Sequence, residues 1–149
     1  MDFVSVILPT FNERDAIVPH ALHVSQVLTK AGYKHEVLVV DDDSPDGTAE
    51  VVRRAGTKNK NIRILNRKTN HGLGLSIGDG VKHAQGNIII GMDADGNHDP
   101  EDMPNMLKHL TGETKLVVAS RFKGDGGMKG WRMLPTFLFN GMFRLFGLP

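Results

Sequence analysis

Apolar and polar positions alternate along this chain in two recurring patterns. Short, dense apolar runs (Val4 to Leu8, Glu36 to Val40, Ile62 to Leu65, Asn87 to Met92 and Leu116 to Ala119) read as strands. Between them lie segments with helical spacing. Ile17, Ala21, Val24, Val27, Leu28 and Ala31 form one stripe, stopped by Gly32; Ala49, Val52 and Ala55 form a second, with Thr48 placed to cap it. A third helix is predicted over Leu73 to Ala84. A fourth starts at Asp99-Pro100 and carries Met103, Met106, Leu107 and Leu110. Strand and helix alternate throughout, which predicts an α/β domain: a mostly parallel, Rossmann-like sheet with helices on both faces.

In such sheets ligands sit beyond the C-terminal strand ends, and three predicted strands end in residues suited to chemistry. The first runs into Pro9-Thr10-Phe11-Asn12-Glu13, the second into Asp41-Asp42-Asp43-Ser44, the fourth into Asp93-Ala94-Asp95. Two carboxylates flanking one small residue can reach Mg²⁺ or Mn²⁺, which take oxygen ligands and are usually shared with substrate phosphates. Asn97 adds a carbonyl oxygen two residues on. Crowded acids repel one another unless a cation or a donor-rich ligand joins them. Each motif also has a plainer reading as turn and capping residues, above all Ser44-Pro45-Asp46-Gly47-Thr48.

Charge is distributed unevenly. The formal net charge is +1, yet from Lys115 onward six basic residues face a single acid, Asp125, and six of the nine aromatics follow residue 120. The front half suits a metal-bound nucleotide; the rear suits an anionic, partly apolar partner. Arg121 follows the fifth predicted strand and is expected at the ligand edge. Met133 to Phe146 reads either as a core helix or as an interfacial one, with Arg132 and Arg144 reaching headgroups. No apolar run is long enough to span a bilayer, and no cysteine is present, which removes disulfides and thiolate chemistry. The N-terminus lacks signal-peptide features and reads as that of an unexported chain.

Other constellations are weaker. Asn66-Arg67-Lys68 with His71-Gly72-Leu73-Gly74 forms a basic loop before a helix, a phosphate-facing candidate. Gly74-Leu75-Ser76-Ile77-Gly78 has the form of a hydrolase nucleophile elbow, with Asp93 and His98 or His109 following in order. However, Ser76 falls inside the predicted helix rather than on a sharp turn. His20 and His23, at i and i+3, read as surface residues.

Taken together, the motifs from Pro9 to Trp131 resemble those of the family 2 glycosyltransferases, within them the dolichyl-phosphate (polyprenyl-phosphate) mannosyltransferases. The resemblance implies a GT-A-like fold, a nucleotide-sugar-binding domain over residues 1–122, and the start of an acceptor or membrane-proximal segment over 123–149. It implies an inverting, metal-dependent transfer of a sugar, mannose from GDP-mannose, to a polyprenyl phosphate. Pro9, Phe11 and Glu13 would line the base pocket and Val40 and Asp42 contact the nucleoside. Asp93 and Ala94 would touch the nucleotide, Asp95 and Asn97 hold the Mg²⁺ or Mn²⁺, and Arg121 receive donor phosphate, making Asp95 and Arg121 the catalytic pair. The implied setting is cytoplasmic, peripheral at the cytoplasmic face of a membrane, with no nucleic acid partner. The chain stops where relatives continue and so reads as C-terminally truncated, to be completed by a missing segment or a separate membrane-anchoring subunit. Three alternatives stay open: a UDP-sugar-dependent member with another acceptor, a Ser76 hydrolase, and a non-catalytic nucleotide-binding fragment.

Overall fold

A computed structural model describes residues 2–95, 98–114 and 116–119. The chain divides into two units, Met1–His109 and Leu110–Pro149, and every regular element described lies in the first. In chain order these are β1 (Phe3–Thr10), α1 (Ile17–Lys30), β2 (Lys34–Asp41), α2 (Thr48–Lys58), β3 (Ile62–Asn66), α3 (Leu73–His83), β4 (Ile88–Gly91), a 3₁₀ turn at Pro100–Asp102 and α4 (Met103–Lys108). The strands form one parallel sheet in the order β3-β2-β1-β4.

That order decides the architecture. Right-handed crossovers carry the chain outward from β1 to β3, then back past β1 to β4. Reversing direction puts α3 on the face opposite α1 and α2, as a doubly wound sheet requires. The expected α/β fold with helices on both faces is therefore present. A strand's two faces alternate, so Ile7, Leu38 and Val40 share the α3 face; they are essentially fully buried and form a core cluster with Leu65 packed against it. α3 comes very close here. A Cβ on Gly80 would meet Ile7 Cγ2 at 2.6 Å and Val40 Cγ2 at 3.2 Å.

Beneath this apolar layer, Glu36 is only 2% exposed. Its Oε1 accepts from Ser5 Oγ at 2.6 Å and from the Gln85 N–H at 2.6 Å, while Arg63 pairs with Oε2. Burial opposes its charge, but the bonds from Ser5, the Gln85 amide and Arg63 outweigh that, so its carboxyl titrates below the ordinary 4.5. A depressed folded pKa gives stability that is complete above the unfolded pKa and is lost as pH falls through the folded one. Glu36→Gln is thus expected to cost ~2 kcal/mol at neutral pH and progressively less in acid. Urea midpoints of both proteins at about pH 7 and about pH 3 would check this; a gap that does not narrow would contradict it.

The structure departs from the expectations in two places. Residues 116–119 form no strand, and Leu116 and Val118 are 78% and 75% exposed. An apolar run becomes a strand only where a neighbour supplies its hydrogen bonds, and among the described residues none does. Second, Thr48 does not cap α2. Gly47 stands at the cap, and Asp46 Oδ1 accepts from both the Thr48 N–H (2.9 Å) and its hydroxyl (2.6 Å). The expected domain boundary at 122/123 lies outside the described residues. Among those residues, no helix is long and apolar enough to cross a membrane.

Candidate functional site at the C-terminal sheet edge

Because the four strands are parallel, the segments after β1, β2, β3 and β4 all emerge at one edge. Backbone bonds prolong the register past the strand ends: Asp42 N–H to Thr10 O (3.1 Å), Arg67 N–H to Asp41 O (2.8 Å) and Met92 N–H to Ile7 O (3.1 Å). Strand order reverses between β1 and β4, and that crevice is where open α/β sheets bind ligands. It is flanked by the two motifs singled out on sequence grounds, Pro9 to Glu13 and Asp93 to Asp95.

Burial alternates along the second motif. Met92 and Ala94 are buried (8% and 5%), whereas Asp93 and Asp95 are exposed. The apolar pair anchors the segment and turns both carboxylates outward together. Asp93 Oδ2 lies 3.7 Å from His98 Nδ1. Asp99 then caps the 3₁₀ turn by accepting from the Glu101 N–H at 3.0 Å, with Pro100 in first place as expected. On α1, His23 pairs with Glu101 at 3.4 Å. His20 has its pKa lowered by burial and by His23, opposed by Asp95.

The β1 segment is held from outside. Its backbone N–H groups at Asn12, Glu13 and Arg14 donate to Ser44 Oγ (2.8 Å), Thr48 Oγ1 (3.1 Å) and Asp46 Oδ2 (3.1 Å). Residues that read as a simple turn therefore bracket the neighbouring loop. Pro9 is buried, Glu13 half-buried and Phe11 57% exposed, its ring left at the edge. Asn12 and Asp43, both at φ 58°, take the left-handed conformation that Asn and Asp tolerate better than other side chains.

At the end of β2 the acids are already partnered. Asp41 accepts from the Ser44 hydroxyl (2.5 Å) and amide (3.0 Å), and Asp43 pairs with Lys68. Asp42 is 7% exposed; it accepts from Arg67 and from Ser76 Oγ (2.7 Å) on Oδ1, and from the Gly72 N–H (2.7 Å) on Oδ2. Burial resists its charge, but the Gly72, Ser76 and Arg67 donors outweigh that and hold its carboxyl below the usual range.

Two readings of the basic loop and the helix after it change accordingly. Arg67 does not face a phosphate: it is 6% exposed and locked inside the protein. Ser76 is 2% exposed and bonded to Asp42 and Arg67, so it is a buried structural hydroxyl rather than a nucleophile. Val40 is wholly enclosed in the core cluster, its side chain on the α3 face. Arg121 and Asn97 lie outside the described residues, as does the 133–146 segment.

A divalent cation fits the residues that are described. Asp93 and Asp95 offer only oxygen donors at the edge, and no group of three or more His, Cys, Asp or Glu among the described residues is arranged to hold a metal alone. Carboxylates supplemented by a ligand's phosphates match how Mg²⁺ and Mn²⁺ are ordinarily held.

Several known proteins are similar to this chain. A dolichol-phosphate mannosyltransferase of Pyrococcus furiosus is 33% identical over 128 residues, 86% of this chain and 36% of that protein. One from Mycosarcoma maydis is 33% identical over 142 residues, 92% of this chain and 48% of that protein. The chain thus spans between about a third and a half of these relatives' length. A mannosyltransferase from Pyrobaculum calidifontis, solved in complex with GDP-Man and Mn²⁺, has a similar structure at a TM-score of 0.62 and 30% identity; the match covers 70% of this chain and 31% of that one. The fold is GT-A-like, and with residues 5–148 matching the family's pattern, the chain belongs to glycosyl transferase family 2.

Proposed function

We propose that this chain forms the donor-binding part of a metal-dependent, inverting glycosyltransferase that moves mannose from GDP-mannose to a polyprenyl phosphate. The observation that carries the reading is the convergence of Phe11 to Glu13 and Asp93 to Asp95 on the two sides of the strand-order reversal. The names of the two relatives and the GDP-Man and Mn²⁺ held by the similar structure support the donor and the metal.

In this reading Pro9, Phe11 and Glu13 border the base, and Asp42 meets the nucleoside with the acceptor capacity left on its carboxylate. Asp93 and Ala94 lie along the nucleotide, Asp95 and Asn97 hold Mg²⁺ or Mn²⁺, and Arg121 holds donor phosphate. When bound, the cation offsets charge on the departing nucleoside diphosphate. An acceptor phosphate monoester, with a second pKa of about 6, is largely dianionic at neutral pH. It can attack without a dedicated base, so the protein's task is to hold two anions together. The basic, aromatic stretch beyond residue 120 suits such a lipid-linked acceptor at the cytoplasmic face of a membrane, completed by further chain or an anchoring subunit.

Thermal unfolding with GDP-mannose, UDP-sugars and Mn²⁺ in combination tests this. A ligand at a hundred times its Kd adds about 2.7 kcal/mol, a rise in Tm of several degrees. The expected result is stabilisation by GDP-mannose that disappears with EDTA. Indifference to every nucleotide sugar, or stabilisation without regard to metal, would defeat the proposal.

A further inference from the structure

Strand β3 is an outer strand of the sheet, paired with β2 alone among the described residues. Its register shows which of its backbone groups are spare. Along a strand, each residue's N–H and C=O point the same way, and successive residues alternate. The Val37 N–H donates to Asn61 O (2.7 Å) and the Arg67 N–H to Asp41 O (2.8 Å). The odd-numbered residues of β3 therefore turn their backbone groups toward β2, and the even-numbered ones turn theirs outward. Of the outward set, the Ile62 N–H is taken by Asn59 O (3.0 Å), and the Ile62 carbonyl lies against Gly56 of α2. The N–H and C=O of Ile64 have no such partner among the described residues.

An open groove of ≈ 280 Å³ runs beside this stretch, floored by Val52, Ile62 and Ile64 and flanked by Arg53, Lys60 and Arg63. The charge around it is one-sided. No acidic residue occurs between Glu50 and Asp79. Arg53 and Arg54 share Glu50, and Arg63 pairs with the buried Glu36. Lys58 and Lys60 are exposed and form no ion pair with a described residue. Two such edges brought together would set like charges against each other, which guards the strand against pairing with a second copy. The same charge favours a partner of opposite sign.

We propose that the Ile64 edge of β3 is a docking site for an extended acidic segment of another protein, which adds to the sheet as a further strand. Main-chain bonds to Ile64 supply affinity in such a mode, and alternate side chains supply selectivity. Apolar side chains of the partner cover Val52 and Ile64, carboxylates between them meet Arg63, and Lys60 and Arg53 steer the approach. A nucleic acid or an anionic bilayer would answer the charge but has no peptide backbone to pair with Ile64.

The probe is a fluorescein-labelled peptide of alternating glutamate and valine, roughly ten residues long, followed by anisotropy. A second peptide carries a methyl group on every amide nitrogen, with its charge unchanged. Wild type is expected to bind the first and to bind the second at least about tenfold more weakly, because the main-chain bonds are lost. Lys60→Glu is expected to weaken the first peptide severalfold, whereas Lys108→Glu, the same charge change on α4, should leave it unaffected. Absence of binding would overturn the proposal, as would equal binding of the two peptides. Oligothymidylate or phosphatidylserine vesicles binding as tightly as the peptide, with the same sensitivity to Lys60→Glu, would mark a general anion surface and overturn it as well.

Discussion

Asp95→Ala is expected to weaken Mn²⁺-dependent binding of a nucleoside diphosphate by about a hundredfold, or ~2.7 kcal/mol. The size follows from what a hard cation needs. In the proposed site Asp95 is one of two protein ligands, so losing it removes a large share of the protein's hold on the metal, and the diphosphate loses its bridge to the protein. The fold should not suffer. Asp95 is exposed, and the segment is anchored by its buried neighbours Met92 and Ala94. Calorimetric titration with GDP, with and without Mn²⁺, separates the cases. If the variant bound GDP as tightly as wild type and with the same metal dependence, the diphosphate would have to sit elsewhere.

Gly86→Ala should produce the largest loss of stability of any single methyl addition considered. Gly86 sits where the chain leaves α3 and enters β4, against the start of β1. A Cβ there would lie 2.8 Å from the Ser5 amide nitrogen and Oγ, and closer still to the Phe3 carbonyl. Two of these neighbours are backbone and cannot swing aside. Relief must come from moving β1 or β4, which also strains the bond from the Gly86 N–H to Ser5 Oγ (2.8 Å). Overpacking of this kind costs roughly 1–3 kcal/mol when side chains can adjust, and here about 3 kcal/mol or more is expected because backbone must. Urea unfolding of the variant would reveal it as a lower midpoint with an unchanged slope. A loss under about 1 kcal/mol would mean the close approach is easily relaxed.

Much of the scaffold was legible because burial imposes periodicity. The four strands of the sheet stand out as apolar runs, and Asp93-Ala94-Asp95 drew attention by following one of them. The fifth run failed the same reasoning, since Leu116 to Ala119 has a strand's composition but no described pairing partner. The internal partners of the acidic triplet were hidden for a related reason. Three consecutive aspartates imply repulsion that a ligand must relieve, yet Asp41 is satisfied by Ser44, Asp42 by Arg67 and Asp43 by Lys68. Nothing local marks Arg67 as the partner of an acid 25 residues earlier; only the β2–β3 pairing brings them together. The sharing of Arg67 with Asp79, and the bracketing of Asn12 to Arg14 by Ser44, Asp46 and Thr48, are hidden for the same reason. The distance along the chain conceals them.

Helix α3 is poorly equipped to stand alone. Gly74, Gly78 and Gly80 each weaken it by about 1 kcal/mol relative to alanine. Its order is borrowed from the β2 region: Asp42, just past the strand, grips the approach to its first turn, and Glu36 within the strand grips the residues after its last turn. The helix is thus slung from both ends like a hammock between two posts, with Ser5 of β1 adding a second hold after its last turn. A variant that loosens Glu36 is therefore expected to loosen α3 as well as the floor of the sheet.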